Sequence, residues 1–350
     1  MISNDFDPNG VGIKGTLFGL PTDENQAAVI ILSVPWEVTV SYGSGTSNGP
    51  AAILEASTQL DLADPNFHQA WQPGYCLKSF DPDIQMKSKQ LRKKTVSYID
   101  SLEEGMPPNQ DLPVVQEVNQ AGLCLKESIK IQALQLLKNQ KIPALLGGDH
   151  SCPLGLMEAI AEHYGDFGIL QIDAHADLRP AYEGFQYSHA SIMWNALKIP
   201  ALKHLTQVGI RDLCQQELDL IHKNPERIHT FFDADLKEAY HAGTTWNQSI
   251  DRIIETLPEN VYVSFDIDGM DPKLCPSTGT PVPGGLDFWQ AVSLIKALVR
   301  GRRKIVGFDL CEVAPGKTEW DANVGARILY KLCCWTAASH GKLELSDQQY

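Results

Sequence analysis

Acidic and imidazole side chains follow a short apolar stretch near the middle of the chain. Residues 167–172 are rich in branched apolar side chains, which is typical of a buried strand. Asp173, His175 and Asp177 follow at alternate positions, and alternate residues of an extended chain point to the same side. Two carboxylates and an imidazole packed together are costly unless a cation lies between them. This pattern therefore favours a metal site over its alternative, a helix-capping Asp beside a buried His.

The same arrangement follows two further predicted strands. Residues 261–265 lead into Asp266 and Asp268, again two positions apart, and residues 142–146 lead into His150. The repetition makes coincidence a poor explanation, and we predict a set of six metal ligands. The predicted ligands are His150, Asp173, His175, Asp177, Asp266 and Asp268.

The composition of this ligand set indicates which ions it would bind. Four carboxylates exceed what one structural zinc needs, whereas two ions that share bridging carboxylates would use all six groups. Oxygen-rich ligation favours manganese, and the two imidazoles leave room for nickel or cobalt. Two ions about 3.5–4 Å apart can bind a shared water and ionise it at neutral pH. We therefore expect two divalent ions and a hydrolytic reaction.

Strand-like and helix-like stretches alternate along the rest of the chain, which predicts an α/β fold with a mainly parallel sheet and helices on both faces. Such sheets bind ligands at the carboxyl ends of their strands, where all six ligands fall. Predicted strands cover residues 27–32, 142–146, 167–172, 205–210, 228–232, 261–265 and 304–308. Predicted helices begin at Ala51 and cover 118–140, 152–163, 215–222, 249–257, 286–299 and 320–335, with a short one near 89–102 in the otherwise irregular region 58–115. We predict an N-terminal arm (1–25), a single domain (26–340) and a C-terminal tail (341–350).

Composition excludes several classes of partner. The 350 residues carry a formal net charge of −14, which argues against nucleic acid and anionic membranes and suits a small cation. No apolar run is long enough to span a membrane, and the polar start lacks the features of a signal peptide. The eight cysteines have no C-x-x-C spacing, so we expect reduced thiols and a cytoplasmic location.

Other polar groups receive structural interpretations. The Gly-rich stretch 41–50 could cradle a phosphate at the start of a helix, but it lacks the Walker spacing and lysine, so a plain loop is favoured. Asp149 and Asp271 are predicted to orient ligands or cap turns. Asp233 and Asp235 repeat the D-x-D pattern weakly and are predicted to lie in a loop. Five histidines are read as structural or exposed: His163, His204, His222, His229 and His241.

Three of these segments resemble the signatures of the ureohydrolase family, which includes arginases, agmatinases, guanidinobutyrases, formiminoglutamases and guanidine hydrolases. The segments are residues 147–151, 173–177 and 264–272, in the family's order, and the resemblance extends from the strand at Ala27 to about Trp335. It implies a three-layer α/β/α sandwich and hydrolysis of a small guanidino compound to urea plus an amine or ammonia. It also implies two manganese ions in most members, nickel in guanidine hydrolases, and homotrimers or homohexamers.

Two more segments resemble the family and supply the remaining site residues. Residues 187–191 look like the segment whose histidine relays protons, and residues 309–315 like the segment whose glutamate pairs with the guanidinium. A guanidinium stays charged at neutral pH, with a pKa of about 13, so Glu312 could hold it in bidentate fashion. His189 could protonate the departing amine. His189 and Glu312 are therefore the predicted catalytic and substrate-binding residues.

The substrate is less well specified by the sequence. Residues 178–180 depart from the small polar residues that arginases carry there, and the segment looks more like the agmatinase branch. The loop 41–50 lacks the arginine common in that branch. Four aromatic residues could narrow the pocket around free guanidine by cation–π contact, although core packing is the favoured interpretation for each of them: Trp194, Trp289, Phe185 and Tyr187.

Three other functions stay open at this point. Formiminoglutamate hydrolysis would release formamide rather than urea. A deacetylase on a related fold would act on a neutral amide, which needs no buried carboxylate such as Glu312. A catalytically silent metal-binding or scaffold protein would be unaffected by loss of His189.

Overall fold

The computed structural model describes residues 2, 6–79 and 81–346. Its eight strands are β1 (Val29–Val34), β2 (Tyr75–Lys78), β3 (Ile142–Gly147), β4 (Phe167–Ile172), β5 (Leu202–Ile210), β6 (Ile228–Phe232), β7 (Asn260–Asp266) and β8 (Lys304–Cys311). Its ten α-helices are α1 (Gly49–Ser57), α2 (Pro82–Glu103), α3 (Pro113–Lys138), α4 (Leu154–Tyr164), α5 (Ile192–Ala196), α6 (Gln215–Lys223), α7 (Asp233–His241), α8 (Trp246–Glu255), α9 (Phe288–Arg300) and α10 (Trp320–Ser339).

The strands form one sheet in the order β2-β1-β3-β8-β7-β4-β5-β6, and every neighbouring pair is parallel. One apolar core lies between the sheet and α1, α8, α9 and α10, and a second lies between the sheet and α2–α6. Strands buried on both faces account for the continuous apolar runs in the sequence. The predicted three-layer α/β/α sandwich with a parallel sheet is confirmed.

The four central strands end at one level. Ile172 of β4 is paired with Phe265 of β7, and Phe265 with Leu310 of β8, which is paired with Leu146 of β3. The chain crosses from β3 to β4 over the two strands between them. This crossover creates the position at the carboxyl edge of the sheet where open α/β folds bind ligands.

The largest difference from the sequence-based prediction lies between residues 58 and 115. The edge strand β2 was not anticipated, the short helix expected near 89–102 is the 22-residue α2, and α3 begins five residues before Val118. Strand β2 is only four residues long and ends in Lys78, so its pattern is weak. Helix α2 buries few side chains, which gives little apolar periodicity to detect.

Two further corrections concern short helices. Asp233 and Asp235, predicted to lie in a loop, form the first turn of α7, where acidic groups complement the positive end of the helix dipole. Helix α5 was not predicted and follows a 3-10 turn at His189–Ser191.

Part of the predicted N-terminal arm contributes to the core. Phe18 is buried and its ring lies edge-on to those of Tyr75 and Tyr330, at centroid distances of 5.8 and 4.9 Å. Residues 1, 3–5 and 347–350 of the predicted arm and tail lie outside the described part of the chain. The arm, domain and tail boundaries stay predictions. None of the described helices has the length and apolar content needed to cross a membrane.

Candidate metal centre

The six predicted ligands meet at the carboxyl edge of the sheet. His150 follows β3, Asp266 ends β7 with Asp268 just beyond it, and the other three follow β4. Five of them line one cavity, and the sixth, Asp173, is completely buried. The cavity measures about 160 Å³.

A first group of ligand atoms surrounds the imidazole of His150. Its Nδ1 lies 3.1 Å from Asp173 Oδ2, 3.0 Å from Asp177 Oδ2 and 3.3 Å from Asp266 Oδ2. All four side chains are buried. One nitrogen and three carboxylate oxygens therefore converge on one point.

A second group lies beside the first and shares Asp173 with it. His175 Nδ1 lies 3.0 Å from Asp268 Oδ2 and 3.6 Å from Asp173 Oδ1. Each group contains three side chains whose ligand atoms lie close enough to hold one ion. Asp173 directs Oδ2 to the first group and Oδ1 to the second, which suits a carboxylate that bridges two ions.

The hydrogen bonds of His150 test whether the first group fits a cation. The Ser264 hydroxyl donates to Asp309 Oδ2 at 3.0 Å, so it accepts from His150 Nε2 at 2.9 Å. The hydrogen on Nε2 leaves the Nδ1 lone pair facing three carboxylates, and Nδ1 has no hydrogen-bond partner. Burial opposes charging of the ring, but its carboxylate neighbours hold the pKa of His150 well above its ordinary value. The site thus fits a cation, for which a proton substitutes when no metal is bound.

Glu312 lies at the tip of β8, between the tips that carry the ligands. Its backbone is in the left-handed region (φ +64°) and is held by hydrogen bonds to Gly148 O and from the Thr278 hydroxyl, both 2.8 Å long. Glu312 Oε1 accepts the His150 amide hydrogen at 2.8 Å, and the described residues offer Oε2 no hydrogen-bond donor. Burial and the charge of Asp149 raise the pKa of Glu312 well above its usual range. A cation in the cavity would favour the ionised form.

His189 lines the same cavity as Glu312. Its Nδ1 lies 3.4 Å from Thr39 Oγ1 and 3.3 Å from Ser188 Oγ, and its ring stands edge-on to Tyr182. Burial and the charged histidines nearby lower the pKa of His189 to about 3. His189 is therefore neutral at pH 7 in this arrangement.

Other predicted positions contribute no atom to the two ligand groups. Asp149 accepts hydrogen bonds from the amides of Val38 and Ser151, and Asp271 pairs with Lys273 at 2.6 Å. None of the four aromatic residues considered as a wall for free guanidine lines the cavity, in agreement with the favoured interpretation of core packing or surface positions. Phe185 is core, Tyr187 lies against Gly122, Trp194 lies against Lys198, and Trp289 is 66% exposed. The aromatic side chain that does line it is Tyr182.

The Gly-rich loop is closed by the chain itself. The buried Glu37 carboxylate accepts hydrogen bonds of 2.9–3.0 Å from the amides of Gly45 and Ser47. Gly43 packs so closely on Gly279 that a Cβ would lie 2.5 Å from its carbonyl oxygen. The amides that could have held a phosphate are thus occupied, in agreement with the prediction of a plain loop.

Several residues that serve the site were not anticipated. Ser264 and Asp309 orient His150, Gln171 contacts Asp173, and Thr39 contacts His189. Ser264 and Gln171 each precede a ligand by two positions and so share its side of the strand. That spacing was the available signal. Asp309 is the register partner of Ser264 on the neighbouring strand. A pairing between two strands cannot be recognised from the sequence around either residue.

Comparison with known proteins places this geometry in context. Residues 27–334 match the sequence profile described as the arginase family. An N(1)-aminopropylagmatine ureohydrolase from Thermus thermophilus is 32% identical over 311 residues, which are 88% of this chain and 90% of the relative. An agmatinase from Klebsiella pneumoniae is 28% identical and covers 91% of this chain and 90% of the relative. The solved proclavaminate amidino hydrolase from Streptomyces clavuligerus superposes with a TM-score of 0.70 at 24% identity, covering 93% of this chain and 98% of that one.

Proposed function

Because the chain belongs to the arginase family, we propose that it is an agmatinase-like ureohydrolase that cleaves the C–N bond of a guanidino compound with an amine tail, releasing urea. The observation that carries this proposal is the single cavity in which two metal-ligand groups face Glu312 and His189. Each of these parts has a defined task in guanidino hydrolysis.

We propose that the two ligand groups hold two divalent ions, with Mn²⁺ first and Ni²⁺ second. The first ion would take His150, Asp177 and Asp266, the second His175 and Asp268, and Asp173 would serve both. Such a pair of ions supplies a nucleophile at neutral pH and polarises the substrate. The oxygen-rich set suits Mn²⁺, and two imidazoles are compatible with Ni²⁺.

Glu312 binds and aims the substrate in this proposal. A guanidinium in the cavity offers N–H donors to Oε2 and neutralises the buried carboxylate. Because Oε1 is tied to the His150 amide, Oε2 is the oxygen that is left to hold the guanidinium in the cavity that the ligand groups share with Glu312. Holding the reacting carbon in one position lowers the barrier.

His189 moves the proton. It can take the proton that the attacking water loses at one ring nitrogen and pass it to the departing amine, which must leave protonated. The hydroxyls of Thr39 and Ser188 lie next to Nδ1 and fix the ring. His189 thus serves as a proton carrier between two sides of the cavity.

The mouth of the cavity favours a cationic tail. Arg179 is there, but its Nε lies 3.6 Å from Glu217 and its guanidinium stacks 4.7 Å above the Tyr182 ring. Its charge is thereby offset. Asp212 lines the mouth, is exposed, and has no ion-pair partner among the described residues. The names of the relatives, agmatinase and aminopropylagmatine ureohydrolase, agree with a substrate that carries an amine there. Free guanidine is a less favoured substrate, because none of the four aromatic residues named in the sequence analysis lines the cavity.

The Asp212→Asn substitution is expected to lower kcat/KM for agmatine roughly threefold, the size of an exposed ion pair, and to leave 4-guanidinobutyrate unchanged or better. The loss should shrink as salt is raised. Steady-state kinetics on both substrates measure it. Asp219→Asn, an exposed acid on α6 outside the cavity, is the matched control. An equal effect on both substrates would contradict tail recognition by Asp212.

The test of the proposed function is a product screen. Metal-free protein is loaded separately with Mn²⁺, Ni²⁺ and Co²⁺ and given agmatine, aminopropylagmatine, arginine, 4-guanidinobutyrate, guanidine and formiminoglutamate. We expect urea from the guanidino compounds with amine tails. Formamide from the last substrate would indicate a formiminoglutamase. No product from any combination would indicate a silent metal-binding protein.

The organisation of the chain around this site stays a proposal. We propose that residues 26–340 form a single domain with the arm and tail at its two ends. We also propose, from the resemblance to ureohydrolases, a homotrimer or homohexamer.

A further inference from the structure

A row of polar side chains crosses three strands inside the sheet. Gln171 on β4 is the register partner of Gln207 on β5, and Gln207 is the register partner of Thr230 on β6. Both glutamines are completely buried. Burying primary amides is costly unless they are hydrogen-bonded, so their presence between two apolar layers needs an explanation.

The three side chains form one continuous hydrogen-bonded row, which we call the amide relay (Thr230, Gln207 and Gln171). The Thr230 hydroxyl donates to Gln207 Oε1 at 2.8 Å. Gln207 Nε2 donates to Gln171 Oε1 at 2.7 Å. Gln171 Nε2 donates to Asp173 Oδ2 at 2.8 Å. The relay therefore starts at the outermost strand and ends on the carboxylate shared by the two ligand groups.

The direction of the relay is fixed by groups that only accept hydrogen bonds. Gln207 Nε2 lies 2.8 Å from Ala176 O, and Gln171 Nε2 lies 3.2 Å from His175 O. If either amide were flipped, its oxygen would face a carbonyl oxygen. The two glutamines can thus donate only towards the 173–177 segment.

The amide relay contacts Asp173 and the backbone of the 173–177 segment, and both must be placed accurately if the two ligand groups are to hold ions. Asp173 Oδ2 lies near His150 and Oδ1 lies near His175, so a rotation of its carboxylate would move a ligand atom out of both groups at once. Gln171 holds Oδ2, while the His175 amide holds Oδ1 at 2.7 Å. The carbonyls of His175 and Ala176, which set the path between the ligands, are held by the same two glutamines.

We propose that the amide relay is a positioning device for the metal centre. Gln171 and Gln207, acting through Asp173 and the carbonyls of the 173–177 segment, set the geometry in which the two ions are held together. The proposal rests on the metal centre advanced above. A merely structural role, in which the amides only satisfy each other inside the core, makes a different prediction about metal affinity.

The experiment measures Mn²⁺ binding to the full-length protein, using the EPR signal of free Mn²⁺ to obtain affinity and stoichiometry. The variants are Gln171→Met and Gln207→Met, which keep length and apolar packing but remove the donors, and Thr230→Val. Orienting groups around metal ligands are typically worth about 10–100-fold in affinity. We expect about a tenfold loss for Gln171→Met, a smaller loss for Gln207→Met and the least for Thr230→Val.

Thr206→Val is the matched control. Thr206 is buried on β5 next to Gln207 but points to the other side of the strand, where it bonds the Thr256 hydroxyl at 2.8 Å. Its loss should lower the melting temperature of the metal-free protein without changing Mn²⁺ affinity. The relay variants should instead also reduce the increase in melting temperature that Mn²⁺ produces.

The outcomes separate this proposal from the one on which it rests. If Gln171→Met and Gln207→Met bind Mn²⁺ as the unaltered protein does, the relay is structural and the proposal is overturned. If Gln171→Met does not fold, the Mn²⁺ affinities of Gln207→Met and Thr230→Val decide: weaker binding supports the proposal and unchanged binding overturns it. If the unaltered protein itself binds no Mn²⁺, Ni²⁺ or Co²⁺, the metal centre has failed and the relay proposal fails with it.

Discussion

Replacement of Asp173 by asparagine is expected to lower kcat by on the order of 10³-fold or more, which corresponds to about 4 kcal/mol of lost transition-state stabilisation. Asp173 supplies an oxygen to each ligand group. Asparagine keeps the shape but removes the negative charge and replaces one oxygen with an NH₂ group, which cannot ligate an ion. We therefore expect fewer than two Mn²⁺ per chain by elemental analysis together with the loss of urea release.

Asp271→Asn is the matched control for this substitution. Asp271 lies in the same motif as Asp268, but it pairs with Lys273 near the surface and contributes to neither ligand group. It should retain two ions and nearly full activity. Normal ion content and turnover in Asp173→Asn would contradict a bridging role for this carboxylate and remove the basis of the two-ion proposal.

The convergence of the six predicted ligands could be predicted from the sequence because its signal is local. Acids and a histidine at alternate positions directly after a buried strand all lie near its tip. The structure differs from the expected extended chain, since Asp268 lies in the 3-10 turn Ile267–Gly269 and Asp177 has φ +54°. A parallel sheet then gathers the tips of its strands at one edge without further information. The alternation of strands and helices predicted that the sheet is parallel, and the structure confirms this.

The cross-strand partners of the orienting groups could not be predicted because they depend on strand order and register. Ser264 meets Asp309 only because β7 is paired with β8, and Gln171 meets Gln207 only because β4 is paired with β5. These pairs are 45 and 36 residues apart in sequence, and no periodicity reports such adjacency. Whether the aromatic residues line the cavity could not be decided from the sequence for the same reason, since residue type alone does not place Trp194 or Trp289, and neither lines the cavity.

Replacement of Glu312 by glutamine is expected to lower kcat/KM for a guanidino substrate by roughly 10²–10³-fold, the cost of removing one partner of a buried charge pair. Glutamine can keep the hydrogen bond that Oε1 accepts from the His150 amide. It carries no charge to hold a guanidinium. Ion content should stay at two per chain, which distinguishes this variant from Asp173→Asn. Steady-state urea release and elemental analysis on the same preparation measure both quantities.

Glutamine is a more informative replacement than alanine because it keeps the length of the side chain and an acceptor for the His150 amide. The backbone at φ +64° places both Glu and Gln in the left-handed region, so Glu312→Gln changes charge while backbone strain stays similar. Glu319→Gln, on the exposed segment just before α10, is the control for a change of charge alone. If Glu312→Gln kept kcat/KM within about threefold, the buried carboxylate would not bind the guanidinium.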